Sequence, residues 1–187
     1  SGSKAAAEIV AASYYQSFFK AMNVPLATAR AGNVIGGGDW AKDRLIPDVV
    51  RAAKAGRAVL VRNPRSTRPW QHVLEPLRGY LMLAEKLATA GHGFAGGWNF
   101  GPELADIRPV GEVLSTLQKT LPFAIEYDQS PQPHEAKLLA LDILKAKTEL
   151  GWIPKLGLDD ALRWTGEWYS APGADITARQ IREYFTA

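Results

Sequence analysis

The segment RAGNVIGGGDW, residues 30–40, places four glycines behind a short apolar run, and the fold class depends on what these glycines do. A Walker phosphate loop requires Lys and then Ser or Thr after its last glycine, whereas Asp39 and Trp40 follow here. A dinucleotide fingerprint requires an amphipathic helix directly after its glycines, but residues 39–44 are polar and irregular. Because neither loop fits, a phosphate-loop NTPase is excluded. The glycines instead indicate a sharp exit of the backbone from the preceding strand.

Helical and strand patterns alternate around this loop. The spacing of apolar residues predicts helices over 4–22, 46–55, 76–89, 109–120, 142–150 and 158–170, with a weak helical signal over 175–185. Short apolar runs predict strands over 25–31, 58–62, 98–100, 124–127 and 137–141, and residues 66–76 are expected to be irregular. Such alternation is typical of an α/β protein. Four tryptophans are expected to pack in its interior: Trp98, Trp152, Trp164 and Trp168.

Composition limits the classes of function. Of the 187 residues, 47% are apolar and 22% are charged, as in globular proteins, and the net charge is a mild +3. The arginines are scattered rather than gathered in a basic stripe, which argues against a nucleic-acid surface. No apolar run is long enough to span a membrane and no signal peptide opens the chain, so a cytoplasmic location is expected. With no cysteine and three scattered histidines, neither disulfides nor a metal site are expected.

Several polar residues could bind a ligand, and each also has a plainer explanation. Asn33 is predicted to end the strand before the glycines, the position where open α/β sheets bind ligands, but asparagine is also a common turn residue. The guanidinium of Arg68 can donate two parallel hydrogen bonds to phosphate oxygens, a geometry that lysine cannot copy. Arg44 and Arg62 are as compatible with surface charges as with ligand contacts. Lys4, taken alone, is compatible with a solvated lysine in the first turn of a helix.

Four blocks of sequence carry a resemblance to a known family. They are Ser3-Lys4 at the start of a helix, Arg30-Ala31-Gly32-Asn33-Val34 before the glycines, Arg68-Pro69-Trp70-Gln71-His72-Val73, and Leu141-Asp142 followed by Lys145-Ala146 and Leu150-Gly151-Trp152-Ile153-Pro154. In this order and spacing they resemble the C-terminal half of the extended short-chain dehydrogenases/reductases that act on nucleotide sugars, the NAD-dependent epimerase/dehydratase family. The resemblance covers about residues 1–170.

This resemblance implies a fold and a division into domains. The fold would be α/β: the C-terminal part of an extended NAD(P)-binding Rossmann-like fold with a smaller mixed α/β substrate-binding domain. Residues 1–40 would be the last helix and strand of the Rossmann domain, truncated at its N-terminus. Residues 41–187 would be mainly the nucleotide-sugar-binding domain, interleaved with Rossmann elements. A homo-oligomer through helix 4–22 is implied as well.

Within the family, RAGNVIGGGDWAKDRLIPD, GGWNFGP and PHEAKLL resemble the CDP-glucose 4,6-dehydratases more closely than their dTDP- or GDP-sugar relatives. In those relatives the loop usually carries Gly-Pro in place of three glycines. The implied reaction converts CDP-glucose to CDP-4-keto-6-deoxyglucose by internal hydride transfer through bound NAD. Hydride leaves sugar C4, water is lost from C6, and the hydride returns to C6.

The resemblance also implies roles for single residues. Lys4 would be the lysine of the family's Tyr-x-x-x-Lys motif, where it favours the phenolate of the catalytic tyrosine. Lys4 and Arg30 would both contact the cofactor. The tyrosine would directly precede Ser1, so this chain alone is expected to be inactive. Six residues would bind substrate: Asn33 and Arg68 at the diphosphate, Val61 and Arg62 beside the pyrimidine ring, Arg44 on a substrate loop, and His134 on a closing loop.

Two other functions stay open. A nucleotide-sugar epimerase or reductase of the same family would share the blocks named above, and residues preceding Ser1 would decide between these activities. The alternative from another class is a non-catalytic module that binds a nucleotide sugar and is naturally short.

Overall fold

The structure, a computed structural model, describes residues 2–128, 130 and 139–186. The chain divides into two compact units, each assembled from three separate segments. The first unit comprises Ser1–Ala31, Glu75–Gly101 and Leu141–Ile153, and the second comprises Gly32–Leu74, Pro102–Ala140 and Pro154–Ala187. The first segment of the first unit ends at Ala31, and the predicted division at residue 40 stays a prediction. The assignment of the units to cofactor and nucleotide sugar stays a prediction.

Helices and strands alternate along the described residues, which confirms the α/β class. In chain order they are α1 (Gly2–Tyr14), β1 (Ala27–Ala31), β2 (Asn33–Ile35), α2 (Leu45–Lys54), β3 (Val59–Val61), β4 (Thr67–Arg68), β5 (Trp70–His72), α3 (Leu74–Ala90), β6 (Gly96–Phe100), β7 (Arg108–Pro109), α4 (Val110–Leu117), β8 (Ile125–Tyr127), α5 (Leu144–Glu149), α6 (Leu158–Ser170) and α7 (Ala174–Thr186). A single π-helical turn, Tyr15–Phe19, follows α1.

Three predicted elements differ from the structure. Residues 66–76 are not irregular, because they contain β4, β5 and the start of α3. These strands are only two and three residues long and Pro69 separates them, so no alternating pattern marks them. Residues 139–141 of the predicted strand 137–141 are not in a strand, and residues 137–138 lie outside the described part of the chain. Asn33 does not end the strand before the glycines; it opens β2.

The first unit is built on one parallel strand pair. β1 pairs with β6, with Ala27 opposite Gly96 and Ala31 opposite Phe100. The core of this unit consists of buried side chains from β6, α3, α5 and the residues on either side of α5: Leu83, Trp98, Phe100, Ile143, Ala146, Leu150 and Trp152. A side chain at Gly79 would overlap the Phe100 ring, so this glycine lets α3 lie close to β6. The predicted burial of Trp98 and Trp152 is confirmed.

The second unit is built on three strand pairs. β2 pairs with β5 and β3 pairs with β8, both in parallel, while β4 and β7 form a short antiparallel pair. Side chains from α2, α4 and α6 cover these strands and form the core, with Val49, Val50, Leu114, Leu117 and Leu162 almost fully buried. None of the helices in the described residues is long and apolar enough to cross a membrane.

The C-terminal helix α7 is complete from Ala174 to Thr186, although its sequence signal is weak. Only Gln180 and Tyr184 of this helix are buried, so no broad apolar stripe marks it. Polar contacts attach it to α6: Gln180 Nε2 donates to the carbonyl of Trp164 (2.8 Å), and Trp168 Nε1 donates to Thr177 Oγ1 (2.8 Å). Trp164 is buried as predicted, whereas Trp168 is half-buried.

His72 in β5 is a buried imidazole in the second unit, with 2% of its surface exposed. Its Nδ1 accepts a hydrogen bond from the backbone N–H of Leu74 at 3.4 Å, and its ring lies edge-on to Trp164 with centroids 5.6 Å apart. Burial lowers the pKa of His72 from 6.5 to about 4, because the charged imidazolium would lose its hydration. The folded protein therefore holds this histidine neutral at mild acidity.

This burial predicts an acid-sensitive stability. Below pH 6.5 the unfolded chain protonates His72, whereas the folded chain does not until about pH 4. The free energy of unfolding should therefore fall by about 2–3 kcal/mol between pH 7 and 4.5 through this residue. Urea unfolding at several pH values should show this loss in the wild type and a shallower one in His72→Gln, while His92→Gln, a control at a less buried histidine, should keep the wild-type slope. An equal pH dependence in wild type and His72→Gln would contradict the prediction.

Candidate functional site

A cleft of about 690 Å³ lies within the second unit, and we call it the arginine cleft. Its walls come from β2, the loop after β2, the start of α2, β3 and the β4–β5 segment. The structure brings five of the six predicted substrate-binding residues into these walls: Asn33, Arg44, Val61, Arg62 and Arg68. The sixth, His134, lies outside the described residues. Residues far apart in sequence thus meet around a single cavity.

One wall of the cleft lies where β2 meets the residues before β5. The backbone N–H of Asn33 donates to the carbonyl of Pro69 (2.8 Å), and Asn33 lies opposite Trp70 in the parallel pair. A side chain at Gly32 would overlap the same carbonyl, so the close approach requires glycine. Arg68 donates from Nη1 to the carbonyl of Thr67 (2.7 Å) and is half-buried at the cleft wall. The strand pairing therefore places an amide and a guanidinium in one wall.

The triple glycine has a packing role that the sequence alone did not indicate. Gly38 has a φ of +84°, which a glycine adopts without strain. A side chain at Gly37 would overlap the indole of Trp168, and a Cβ at Gly36 would lie 2.8 Å from Val73 Cγ1. Of the three glycines only Gly36 lines the arginine cleft. The sharp exit of the backbone is as expected, but the run is required mainly by its neighbours in the protein.

The loop that follows, Asp39–Arg44, carries charged groups to the cleft. Asp39 Oδ1 accepts the backbone N–H of Ala41 (2.9 Å), and Asp39 Oδ2 accepts Arg44 Nη1 (3.3 Å). Asp43 has a φ of +61°, an uncommon conformation for a residue other than glycine. Arg44 then has extended backbone directly before α2, with most of its side chain exposed. The family resemblance indicates Arg44 but not Asp39, the carboxylate that orients it.

Strand β3 brings two apolar residues of different exposure to the cleft, and the role of Val61 stays a prediction. Both residues line the cleft, but burial alternates along this strand, so Val61 is only 3% exposed and packs in the core, whereas Leu60 is 58% exposed. Arg62, directly after the strand, is exposed like Leu60. The alternation of side chains along a strand was the signal that could have identified Leu60. The exposed apolar side chain that β3 offers at the cleft is therefore Leu60 rather than Val61.

The cleft combines three arginines, Arg44, Arg62 and Arg68, with three carboxylates. Two of the carboxylates are paired with arginine: Asp39 with Arg44, and Asp48 with Arg51. Guanidinium groups around a polar cavity are suited to phosphate oxygens, which they bind through parallel N–H donors.

In the described residues no group of three or more His, Asp or Glu side chains could hold a metal ion.

Comparison with known proteins assigns a family to this chain. A family model described as NAD dependent epimerase/dehydratase matches residues 3–96, just over half of the sequence. The chain belongs to this family. A CDP-glucose 4,6-dehydratase of Salmonella typhimurium is 45% identical, in an alignment that covers all of this chain and 55% of the relative. The chain therefore spans little more than half the length of that curated relative.

Solved structures of the family share the fold. A dTDP-glucose 4,6-dehydratase of Streptomyces venezuelae, solved with NAD, matches with a TM-score of 0.75 and 22% identity, over 91% of this chain and 50% of that one. A UDP-glucuronic acid 4-epimerase of Bacillus cereus, also solved with NAD, matches with a TM-score of 0.72 and 20% identity, over 87% and 49%. Both likenesses concern the architecture, which dehydratases and epimerases have in common.

The two cofactor residues implied by the family lie in the first unit. Lys4 is exposed on α1. Arg30, on β1, pairs through Nε with Glu8 Oε1 at 3.5 Å, and its guanidinium occupies the space where Gly97 would carry a side chain. Arg30 thus already has a carboxylate partner, and the exposed Lys4 alone is a small part of a dinucleotide site. The described residues therefore fit NAD only in part, and the roles of Lys4 and Arg30 stay predictions.

Proposed function

We propose that this chain forms the nucleotide-sugar-binding part of an NAD-dependent CDP-glucose 4,6-dehydratase, a lyase. The observation that carries the proposal is the convergence of Asn33, Arg44, Arg62 and Arg68 on one cavity of the second unit. The likeness to the Salmonella dehydratase supports the CDP-sugar substrate over the dTDP- and UDP-sugars of the more distant structures. A cytoplasmic location stays a prediction.

The cleft supplies what a nucleoside diphosphate sugar needs. The diphosphate carries negative charge and several acceptor oxygens, for which Arg68 and Arg44 offer planar, permanently charged donors. The amide of Asn33 can donate to a further diphosphate oxygen. Leu60 offers exposed apolar surface to the pyrimidine face, and Arg62 follows it on the same strand end. We therefore assign the contact with the pyrimidine base to Leu60, the exposed neighbour of Val61.

The chain's own contribution to the reaction is binding and orientation. Bound NAD supplies the hydride acceptor and donor of the family's chemistry. The arginines would hold the diphosphate of CDP-glucose, so that the sugar is presented in one orientation rather than many, which lowers the entropic cost of reaction. An epimerase of the same family remains the second candidate on the basis of fold, because its architecture is the same.

Exchange of Arg68 tests the proposed diphosphate contact. Loss of one partner from a buried charged contact costs about 2–5 kcal/mol, and lysine recovers part of this by keeping the charge. We therefore expect Arg68→Lys to raise the Kd for CDP-glucose by about 10- to 100-fold in titration calorimetry. Arg163→Lys, on the outer surface of α6, is the matched control and should bind as the wild type does. Unchanged affinity in Arg68→Lys would contradict the assignment.

The chain by itself is expected to bind CDP-glucose without turning it over. Its sequence contains no GxxGxxG fingerprint, and Lys4 can add one charge-assisted hydrogen bond, about 1.5–3 kcal/mol, which is too little to hold a dinucleotide. Calorimetry should therefore show no saturable NAD binding, and no CDP-4-keto-6-deoxyglucose should form when NAD and CDP-glucose are added. Formation of this product by the 187-residue chain would contradict the proposal that the chain binds CDP-glucose without converting it.

Helix α1 is proposed as a contact between two copies of the full-length enzyme. In the chain as described, α1 has no buried residue, and Ile9, Val10 and Tyr14 are each more than half exposed. Phe18, in the π-helical turn after α1, extends this surface. Contiguous apolar surface of this kind is typical of an interface.

Sedimentation of the full-length enzyme tests this interface. We expect a dimer or larger oligomer at micromolar concentration, because burial of several such side chains stabilises association by about 1.5–3 kcal/mol for each one. Val10→Glu should shift the enzyme toward the monomer. Leu104→Glu, at an even more exposed apolar position in the second unit, should leave the oligomer intact. A monomeric wild-type enzyme would contradict the proposal.

A further inference from the structure

Arg51 connects helix α2 to the loop Asp39–Arg44. Its Nη1 donates to the carbonyl of Trp40 at 2.8 Å and its Nη2 donates to the carbonyl of Ala41 at 3.0 Å. The same guanidinium is paired with Asp48 one turn earlier on the helix. Three acceptors thus fix its orientation, and two of them are consecutive backbone groups of the loop. Arg51 does not line the arginine cleft.

Tyr169 connects helix α6 to the same loop. Its hydroxyl donates to the carbonyl of Asp39 at 2.6 Å, and its ring lies edge-on to Trp40 with centroids 5.3 Å apart. Burial, and then the negative charge of Asp39, raise the pKa of the Tyr169 phenol, so the hydroxyl keeps the proton that it donates. Lys54 of α2 lies over the other ring of this pair, 4.8 Å from the centroid of Trp40. Like Arg51, Tyr169 is absent from the cleft wall.

The three carbonyls held in this way are those of Asp39, Trp40 and Ala41, which are consecutive. The carboxylate of Asp39 closes the loop on itself by accepting from the N–H of Ala41 and from Arg44. Contacts from two helices therefore fix the backbone whose side chains orient Arg44 at the cleft. Without them, the loop would have to lose its freedom when ligand binds, which weakens binding.

We infer that Arg51 and Tyr169 are positioning residues for nucleotide-sugar binding, acting through Asp39 on Arg44. The inference rests on the proposed function of the arginine cleft. It predicts that loss of either residue weakens ligand binding although neither touches the ligand. It also predicts that the loss of binding is transmitted through Arg44. The loss should be independent of Arg68, which lies on β4 and not on the loop.

Hydrogen exchange measured by mass spectrometry tests the loop without any ligand. In Arg51→Gln, peptides that cover residues 37–45 should exchange about tenfold faster than in the wild type, because the loop opens more often. Peptides from α4 and β5 should be unchanged. Arg163→Gln, which removes an arginine from two ion pairs on α6, is the matched control and should leave residues 37–45 protected. Unchanged exchange in Arg51→Gln overturns the positioning role.

A double-mutant cycle tests the route to the ligand. We expect Arg51→Gln to raise the Kd for CDP-glucose about tenfold, and Tyr169→Phe to raise it about threefold. In an Arg44→Gln background Arg51→Gln should add no more than about a twofold change, whereas in an Arg68→Gln background it should keep its full effect. If Arg51→Gln acted only by destabilising the fold, it would raise the Kd by the same factor in both backgrounds. That result would overturn the inference. A wild-type chain that binds no CDP-glucose contradicts the proposed function, so the two failures are distinguishable.

Discussion

The arginine cleft depends on the parallel pairing of β2 with β5. This pairing joins parts of the chain that are distant in sequence, and it sets Asn33 opposite Trp70. The approach is close because Gly32 has no side chain to meet the Pro69 carbonyl, which accepts the N–H of Asn33. Arg68 lies two residues before Trp70, so the same strand pairing determines its position in the cleft wall. A shift of register by one residue would turn these side chains to the other face of the strands.

The charges of the cleft form a layered arrangement. Arg44 and its partner Asp39 both line the cleft, while Arg51 of α2, which does not line it, holds the backbone of the loop that carries them. An arginine that already has one carboxylate partner meets a ligand in a restricted set of conformations, so less side-chain freedom is lost on binding. Arg62, at the end of β3, is exposed like Arg44.

The sequence predicted the class of fold and the helices well, because long amphipathic helices have a clear period. The short strands β4 and β5 escaped prediction, since two or three residues cannot display an alternating pattern. Helix α7 gave a weak signal because polar bonds from Gln180 and Thr177 attach it to α6 more than apolar burial does. Both cases concern structure that is specified by partners distant in sequence.

The candidate site shows the same division. Motif resemblance selected Asn33, Arg44 and Arg68, because each is tied to a recognisable block of sequence. It could not select Leu60 over Val61, since only the direction of the strand relative to the core separates them. Nor could it identify Arg51 and Tyr169, whose contribution depends on which carbonyl each one reaches.

The contact between Gly37 and Trp168 ties two positions of the protein to each other in evolution and in engineering. The indole occupies the volume that any side chain at residue 37 would need. A side chain introduced at residue 37 would therefore require a smaller or differently placed group at residue 168. The indole of Trp168 can keep its position only while residue 37 is glycine.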